Sequence, residues 1–560
     1  MEPGSYRGGG STCVDPAAGA GQTAVRQSGA RSVFDFWSTA RWVALLVAVT
    51  PAAWLAWTGR DMPHFGRYHD DAVYFVSAKS LAQGEGYRLP SFPGSPWQTK
   101  YPPLYPAYLS AVWKLDSGFP ENLPLALACT WIFLPLFLWL AWKEWQALGL
   151  APPVASALVV LVGFNPFVVL ASVSLLTDLP FAALMMGVLL LLRRESAGAV
   201  ALGGILAAAA YLTRSSAVVL LATAPLWFCW RRKPRLALLF SGMLLPVVVA
   251  WSAWVSAHLP AGRDAATLYY FDYLGYHLNG LRLSDLPLLV WKNADSVLSA
   301  IGGAVVYGFE GWAGTHLKRL LGLAAIAGVA RMTRRNGVSH SHLFAAAHLA
   351  LLVVWNFKPN VRLLLPAAPV LLAGLAAEVG HLAGLLRSAW RASPANRAVA
   401  AVFAVSALTL GAAAVSSNLH YNFVRWPRAF AAYRAQNEQE RAAFAWIARH
   451  LPPDARILAS PDIPLYLHTG RQACRLPLDL KPYYRDDEEG YVRPAYQMAE
   501  FARAQGLGYL LATPGDFELA LPPSERDKIH AHLRRLPALY DRGGITLYVT
   551  PTGRAAGDGR

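Results

Sequence analysis

Long, uncharged apolar stretches recur along the chain, and they constrain its fold more than any other feature. A run of about 20 apolar residues is long enough for a helix to cross the hydrocarbon core of a bilayer. Lipid offers backbone groups no hydrogen bonds, so such a segment must pair them internally, as a helix does. Of the 560 residues, 55% are hydrophobic and only 15% are charged. We therefore predict a mostly α-helical protein, a polytopic transmembrane helical bundle.

The apolar stretches predict about eleven spans, taking roughly 20 residues as the ideal length. They cover residues 42–57, 123–142, 154–176, 179–192, 197–213, 215–230, 236–257, 320–330, 343–357, 363–377 and 398–419. Asn165-Pro166 inside the third stretch predicts a kink. Residues 104–113 form an apolar segment too short to cross, which favours a helix lying at the interface. Residues 1–35 are rich in Gly, Ser, Ala and Arg and are predicted to be a disordered tail.

Positive charges fall in alternate loops, as the positive-inside rule requires of cytoplasmic loops. The residues concerned are Lys143, Arg193, Arg194, Arg231, Arg232, Lys233, Arg235, Arg331, Arg334, Arg335, Arg387, Arg391 and Arg397. The tail is then cytoplasmic, and the first outer loop, residues 59–122, faces the periplasm or cell exterior. Topology and anionic lipid headgroups also account for the formal charge of +16. No basic-aromatic module accompanies this charge, so we predict no nucleic-acid partner.

The last part of the chain has the pattern of a soluble α/β domain. Residues 456–459, 509–512 and 545–549 are predicted strands, and residues 440–450, 491–504 and 524–533 are predicted helices. We therefore divide the chain into a tail (1–35), a membrane domain (36–420) and an extracytoplasmic α/β domain with three or four strands (421–560). The absence of a GxGxxG fingerprint or P-loop there favours a lid or recognition domain.

Several charged residues are predicted to face the outer side. Asp70 and Asp71 open a predicted helix over residues 72–83, where the helix dipole stabilises an anion, but capping explains only one acid. Asp178 is either a helix N-cap or a catalytic or metal-binding residue. Lys100 either extends its charge to the interface or contacts a phosphate or carboxylate. Arg214 lies on the outer side against the positive-inside trend, which suits an anionic ligand.

An aromatic stretch follows in the segment 261–318, which is too polar to cross the membrane. Its candidates are Tyr269, Tyr270, Tyr273 and Tyr276, together with Asp272 and His277. They suit either sugar stacking or an interfacial aromatic belt, and the belt is favoured for most of them. His277 is only a weak candidate for a metal ligand, and the four cysteines suggest neither a metal site nor a disulfide framework.

Taken together, five segments resemble the GT-C membrane glycosyltransferases. The segments are HDDAVYF, KYPPLYP, LLTDLPF, YLTRS and RLLLPAAPVLL. The most similar group includes the protein mannosyltransferases and the lipid A aminoarabinose and galacturonic acid transferases, and the resemblance spans nearly the whole chain. It implies transfer of a sugar from a polyprenyl-phosphate donor to a lipid, glycan or protein acceptor on the outer face of the cytoplasmic membrane.

The resemblance also implies roles for individual residues. Asp70 matches the acid that accepts the proton of the nucleophile, and Asp71 matches the acid beside it. The donor-binding and substrate-binding candidates are Lys100, Asp178, Arg214, Tyr273, His277 and Arg362. Some relatives carry a metal-ligand Glu where this chain has Thr99. The resemblance therefore does not decide whether a divalent metal is needed.

The chemistry of sugar transfer agrees with these roles. The sugar leaves its phosphate through an oxocarbenium-like state. Two groups help this step: a base that takes the proton of the acceptor, and cations that stabilise the charge growing on the phosphate. A single displacement inverts the anomeric centre. Proximity to Asp71 and to apolar surface predicts a raised pKa for Asp70. The alternatives are a non-catalytic protein of the same fold or a lipid-linked glycan transporter, which would show paired repeats and broken helices at mid-membrane.

Overall fold

Helices dominate the computed structural model, which describes residues 39–262, 264–278, 281–477, 488–517 and 521–550. The predicted disordered tail lies outside the described residues. The α-helices before the sheet are α1 (Thr39–Thr58), α2 (Asp70–Ala82), α3 (Leu104–Leu115), α4 (Leu123–Trp131), α5 (Phe133–Ala147), α6 (Pro152–Gly163), α7 (Pro166–Ser172), α8 (Asp178–Leu192), α9 (Ala197–Thr213), α10 (Leu220–Trp230), α11 (Pro234–His258), α12 (Ala265–Phe271), α13 (Tyr273–Leu278), α14 (Leu286–Val306), α15 (Gly311–Asn336), α16 (His340–Val354), α17 (Val361–Leu364), α18 (Ala368–Ala392), α19 (Pro394–His420) and α20 (Trp426–His450).

Part of this helical set has the length and the apolar composition of membrane spans. In the described ranges, five helices are long and apolar enough to cross a bilayer, or six if the bent pair α6–α7 is one span. Four shorter apolar helices accompany them. The mostly helical membrane fold is therefore confirmed, whereas the count of about eleven spans stays a prediction. The predicted kink is also confirmed, because α6 and α7 meet at 67° where Asn165 caps α7 through the amides of Phe167 and Val168.

Close packing fixes the helix that follows Arg362. Helices α15 and α18 cross so tightly that a Cβ on Gly328 would collide with the Gly374 carbonyl oxygen. Small residues allow such backbone approach between helices in a membrane. The start of α18 is buried among apolar side chains, from Ala368 through Leu375. The short α17 that carries Arg362 is thereby anchored to the bundle core.

The chain after the bundle folds around a mixed sheet. Its elements are β1 (Arg456–Ala459), α21 (Asp462–Thr469), β2 (Gln472–Cys474), α22 (Glu488–Tyr496), α23 (Met498–Ala504), β3 (Tyr509–Ala512), α24 (Pro523–Leu533), β4 (Ala538–Arg542) and β5 (Ile545–Val549). The sheet order is β2-β1-β3-β5-β4, with β1 parallel to β2 and β3, and β5 antiparallel to β3 and β4. Strands β1, β3 and β5 confirm the sequence prediction.

A prediction of three or four strands was too low, because the described sheet has five. Strand β2 has only three residues and β4 is mostly exposed, so neither carries the apolar signature of a buried strand. The predicted division between residues 420 and 421 stays a prediction. At that point α19 continues through a π-helical turn, Tyr421–Arg425, into α20.

Helix α2 lies between the bundle and the sheet. Its buried Val73 and Val76 share one apolar cluster with Leu458 of β1 and Ile463 of α21. The backbone also connects the two parts, because the Ala473 amide donates to the Ser91 carbonyl oxygen at 2.8 Å. The two acids that open α2 are therefore positioned by both halves of the fold.

Candidate active site

Four charged side chains from distant segments form a continuous chain of ion pairs. Arg362 of α17 donates to Asp70 Oδ2 from Nη2 at 2.6 Å and to both Asp178 oxygens from Nε at 3.0 and 3.1 Å. Arg214, which follows α9, donates from Nη1 to Asp178 Oδ1 at 2.7 Å. We call Asp70, Asp178, Arg214 and Arg362 the ion-pair chain. The structure thus brings together four residues that the sequence named as site candidates.

Asp178 is fully buried at the start of α8. The N-cap of α8 is Thr177, and no side-chain hydrogen bond caps the helix there. Instead, the Asp178 carboxylate lies between two guanidinium groups, where an otherwise expensive buried charge is compensated. The sequence left two roles open for Asp178, and the geometry contradicts the role of a helix N-cap.

Lys100 of the first outer loop lies beside the ion-pair chain, where its charge helps to lower the pKa of Asp70. Its Nζ donates to the Tyr269 carbonyl oxygen at 2.5 Å and lies 4.2 Å from the centroid of the Tyr269 ring. Burial lowers the pKa of Lys100 to about 8, although the nearby Asp70 charge opposes this shift. The ammonium group therefore points into the protein, which contradicts the alternative of extending toward the interface. Its neighbour Thr99 is buried and donates to the Phe271 carbonyl oxygen at 2.8 Å.

Asp70 is the acid of this site that solvent reaches, because 23% of its side chain is exposed. Burial opposes its ionisation, but Arg362, Lys100 and a hydrogen bond from Tyr101 outweigh burial and lower the pKa of Asp70 to about 2. The Tyr101 hydroxyl donates to Asp70 Oδ1 at 2.5 Å. The expected rise in the pKa of Asp70 is therefore wrong, because its cationic neighbours lie closer than the sequence could show.

Asp71 is the acid whose pKa is raised. Its side chain is completely buried, and Oδ2 accepts from the Gly66 amide at 2.9 Å. Oδ1 has no hydrogen-bond partner among the described residues. Burial raises the pKa of Asp71 to about 7, and the Asp70 charge adds to this effect. Asp71 therefore lies outside the ion-pair chain and holds the loop before α2, so its role as a second catalytic acid stays a prediction.

Substituting Asp71→Asn is expected to stabilise the protein increasingly as pH rises. A carboxyl whose folded pKa lies above its ordinary value of 3.8 destabilises the fold progressively between about pH 4 and pH 7. Asn keeps an oxygen for the Gly66 amide and has no charge. The melting temperature of the variant minus that of the parent should therefore increase over this pH range and then level off. A constant difference would contradict the raised pKa.

Tyr273 and His277 lie beside the ion-pair chain in an aromatic group. The Tyr273 ring stacks on Trp355 at 5.5 Å, and His277 donates from Nδ1 to the Asn356 carbonyl oxygen at 3.2 Å. Burial lowers the pKa of His277 to about 4, so the imidazole is neutral near pH 7. Their assignment as substrate-binding residues stays a prediction.

A divalent metal would need several carboxylate, imidazole or thiolate ligands on one site. In the described part of the chain, no group of three or more His, Cys, Asp and Glu side chains is arranged to hold a metal ion. Asp70 and Asp178 face arginines, and Thr99 is engaged with a backbone carbonyl. The residues that the structure describes at this site therefore do not fit a divalent metal.

Sequence reasoning placed the tyrosines near 270 mainly in an interfacial belt, which is wrong for two of them. The Tyr269 hydroxyl contacts His69 Nδ1 at 3.0 Å, and the buried Tyr270 hydroxyl donates to Asp462. Sequence reasoning also missed Tyr101. Its position beside Lys100 was the available signal, but a tyrosine before Pro-Pro could equally have been an interfacial residue.

A cavity of about 380 Å³ lies close to Lys100 and Asp71. It lies between residues 61–67, α20, α21 and the loops that follow β1, β2 and β3, and the ion-pair residues do not line it. Two residues in its wall do contact the site. Tyr269 holds Lys100 through its carbonyl oxygen, and Gly66 holds Asp71 through its amide. The lining includes aromatic rings (Phe119, Tyr269, Tyr433, Phe517) and three arginines (Arg67, Arg441, Arg475).

Comparison with known proteins gives structural neighbours. No protein-family model matches the sequence, and neither does any curated protein. An archaeal oligosaccharyltransferase, AglB from Archaeoglobus fulgidus in complex with an inhibitory peptide and a dolichol-phosphate, is similar with a TM-score of 0.50 and 12% identity. The match covers 92% of this chain and 74% of that one.

Two further solved structures are similar at lower scores. ArnT from Cupriavidus metallidurans, bound to undecaprenyl phosphate, has a TM-score of 0.47 at 15% identity and covers 94% of this chain and 99% of that one. The arabinofuranosyltransferase AftD from Mycobacteria has a TM-score of 0.38 at 16% identity, covering 93% of this chain and 42% of that one. At such identities a likeness describes the fold alone. The chain has the fold of the GT-C membrane glycosyltransferases.

Proposed function

We propose that this protein is a membrane glycosyltransferase that moves a sugar from a polyprenyl-phosphate donor to an acceptor. The observation that carries the proposal is the ion-pair chain with Lys100 beside it. Three cations and an ionised, solvent-accessible carboxylate converge from four distant segments. A base and a set of cations are the two requirements of this transfer. The AglB structure contains a dolichol-phosphate, which corresponds to the lipid-phosphate part of the proposed donor.

The cations suit the donor phosphate. A guanidinium carries five N–H donors. Among the described residues, Arg362 uses Nε for Asp178 and Nη2 for Asp70. Arg214 uses Nη1 for Asp178. The remaining donors of both groups can bind phosphate oxygens. Charge-assisted bonds of this kind strengthen as negative charge grows on the leaving phosphate. Lys100 adds a third positive charge from the loop.

Asp70 suits the role of the general base that takes the acceptor proton. It is ionised at neutral pH, and a substrate can reach it. The acceptor hydroxyl or amine forms its new bond to the anomeric carbon as the bond from that carbon to the phosphate oxygen breaks. The electron pair of that bond leaves with the polyprenyl phosphate, and the acceptor proton passes to Asp70. A weakly basic carboxylate accepts this proton late, once the acceptor has become acidic through bond formation. One displacement inverts the anomeric centre.

The cavity suits the acceptor. Its volume falls within the range of about 300–1,000 Å³ typical of small-molecule sites. Flat aromatic faces beside arginine and amide side chains can contact both faces and hydroxyls of a glycan. Because α21 and the loops that follow β1, β2 and β3 form one wall of the cavity, the α/β segment would contribute to acceptor recognition. We place this side of the molecule on the outer face of the membrane, on the strength of the arginine distribution in the loops.

A deletion strain provides the direct test. Envelope lipids, glycans and glycoproteins from the deletion strain are compared by mass spectrometry with those from the same strain carrying the gene on a plasmid. We expect one sugar mass to be missing from a defined acceptor and restored by the plasmid, with the polyprenyl-phosphate sugar accumulating in the deletion strain. Unchanged acceptors in both strains would contradict the proposal. If the only change were loss of the donor from the outer leaflet, the alternative function of a lipid-linked glycan transporter would be favoured.

Transfer is expected to decline on the alkaline side of about pH 8. Lys100 carries its charge below its pKa of about 8 and loses it above, which removes one cation from the donor site. The ratio kcat/KM for the donor should therefore fall as pH rises through 8. In Lys100→Arg the guanidinium stays charged, so the decline should move above pH 10 (arginine pKa above about 12). An alkaline decline that is identical in both proteins would contradict this origin.

A further inference from the structure

The residue before the two acids has a strained backbone. His69 has φ 62° and ψ −47°, and the Asp70 amide donates to the Tyr68 carbonyl oxygen at 2.7 Å. This i to i+2 hydrogen bond closes a γ-turn of the rare type with positive φ, which a residue with a Cβ adopts only under constraint. The turn sets the direction in which α2 begins. It therefore determines where Asp70 and Asp71 point.

Both nitrogens of the His69 ring are held by other segments. Nε2 lies 3.3 Å from Asp462 Oδ2, and Nδ1 lies 3.0 Å from the Tyr269 hydroxyl. Burial lowers the pKa of His69, so the ring is neutral and carries one proton. A ring that donates from Nε2 to the Asp462 carboxylate and accepts at Nδ1 from the Tyr269 hydroxyl satisfies both contacts. The strained turn is thus fixed by two hydrogen bonds of opposite direction.

Asp462 contacts the aromatic stretch as well. Its Oδ2 also accepts from the Tyr270 hydroxyl, and that hydroxyl in turn accepts from the Arg475 amide at 2.9 Å. The neighbouring Tyr269 carbonyl oxygen holds Lys100. One buried carboxylate of α21 therefore connects to the turn that aims Asp70 and to the segment that anchors Lys100.

We propose that Asp462 is a positioning residue that holds both the base and the loop cation of the active site in place. The catalytic part of this inference rests on the proposed function. The physical reason is the strained turn, since His69 keeps its conformation only while its ring is held. Asp462 directly precedes Ile463, which belongs to the apolar cluster shared by α2 and α21. On the same helix, Pro464 packs so closely on Gly66 that a Cβ on the glycine would lie 2.9 Å from it. The α/β segment thereby shapes the site without contacting the donor.

Hydrogen exchange tests the positioning without any assay of activity. The full-length protein is compared with Asp462→Ala, with the isosteric Asp462→Asn, and with Glu144→Gln as a matched control. Glu144 is also a fully buried carboxylate and accepts from Arg193 at 2.6 Å, at the other end of α8 from Asp178. We expect amides 66–72 to exchange at least about tenfold faster in Asp462→Ala through local opening, and at unchanged rates in Glu144→Gln. Unchanged exchange in both Asp462 variants would overturn the proposal.

The kinetic consequence is measured in parallel. We expect kcat of Asp462→Ala to fall about 100-fold, the order that a misplaced catalytic group costs. Asp462→Asn, which still accepts from Tyr270, should recover part of the rate, whereas Glu144→Gln should lose melting temperature and keep kcat. Equal loss of kcat in Asp462→Ala and Glu144→Gln would mean that Asp462 contributes only to the stability of the protein, and it would overturn the positioning role. If the parent protein transfers no sugar, the proposed function fails, while the exchange rates still decide the positioning.

Discussion

Asp70→Asn is expected to abolish sugar transfer and leave a folded protein in the membrane. The amide keeps the shape of the side chain and an oxygen for Tyr101, but it can neither accept a proton nor balance Arg362. Loss of a positioned base and disturbance of one electrostatic contact together predict a fall of at least about 1,000-fold in the transfer rate. The measurement is incorporation of labelled sugar into the acceptor, in membranes with equal amounts of parent and variant.

A matched substitution separates this effect from general loss of an ion pair. Asp295 of α14 accepts from Arg319 at 2.7 Å, as Asp70 accepts from Arg362, but it lies outside the site and 43% of its side chain is exposed. Asp295→Asn should keep the transfer rate within about twofold, because an exposed pair contributes little. Transfer by Asp70→Asn at the parent rate would remove Asp70 from the mechanism. It would leave Asp71, with its pKa near 7, as the remaining acid of α2.

The sequence predicts those features of this fold that depend on short stretches of chain. Apolar length predicts the spans, Asn-Pro predicts the bend at α6–α7, and continuous apolar runs predict β1, β3 and β5. Strands β2 and β4 gain their stability from neighbouring strands, and their own residues carry too little signal. The acidic candidates were noticed because charged side chains next to apolar spans are costly without a partner. The roles of the charged candidates came from the resemblance of five segments to a known family.

Pairing and electrostatics in the site could not be predicted. Asp70 and Arg362 are 292 residues apart in the chain, yet their side chains are in contact. Which of two adjacent acids reaches the cations depends on the turn at His69, and no local pattern encodes that turn. For this reason the raised pKa was expected at Asp70, whereas burial places it at Asp71. The link from Asp462 to His69 is likewise a long-range contact, so sequence reasoning gave Asp462 no role.

Substituting Arg362 should have the second large effect, on both rate and stability. Its side chain is only 15% exposed and bonds two carboxylates at once, one of them fully buried. Arg362→Ala leaves Asp178 with a single guanidinium partner and removes a cation from the donor site. Breaking a buried pair costs about 3 kcal/mol, and loss of one charge-stabilising donor group costs about 100- to 1,000-fold in rate. Melting temperature and kcat/KM for the donor measure the two effects.

Arg362→Lys distinguishes charge from geometry. An ammonium group retains the positive charge but is a point charge on a flexible stem, and it cannot hold Asp70 and Asp178 with a rigid fork. We therefore expect Arg362→Lys to recover most of the lost melting temperature and little of the lost rate. The equivalent change at Arg319, which bonds a single exposed carboxylate, should affect neither. Full recovery of the rate by lysine would mean that the site requires only positive charge, and that the simultaneous hold on Asp70 and Asp178 is not part of the mechanism.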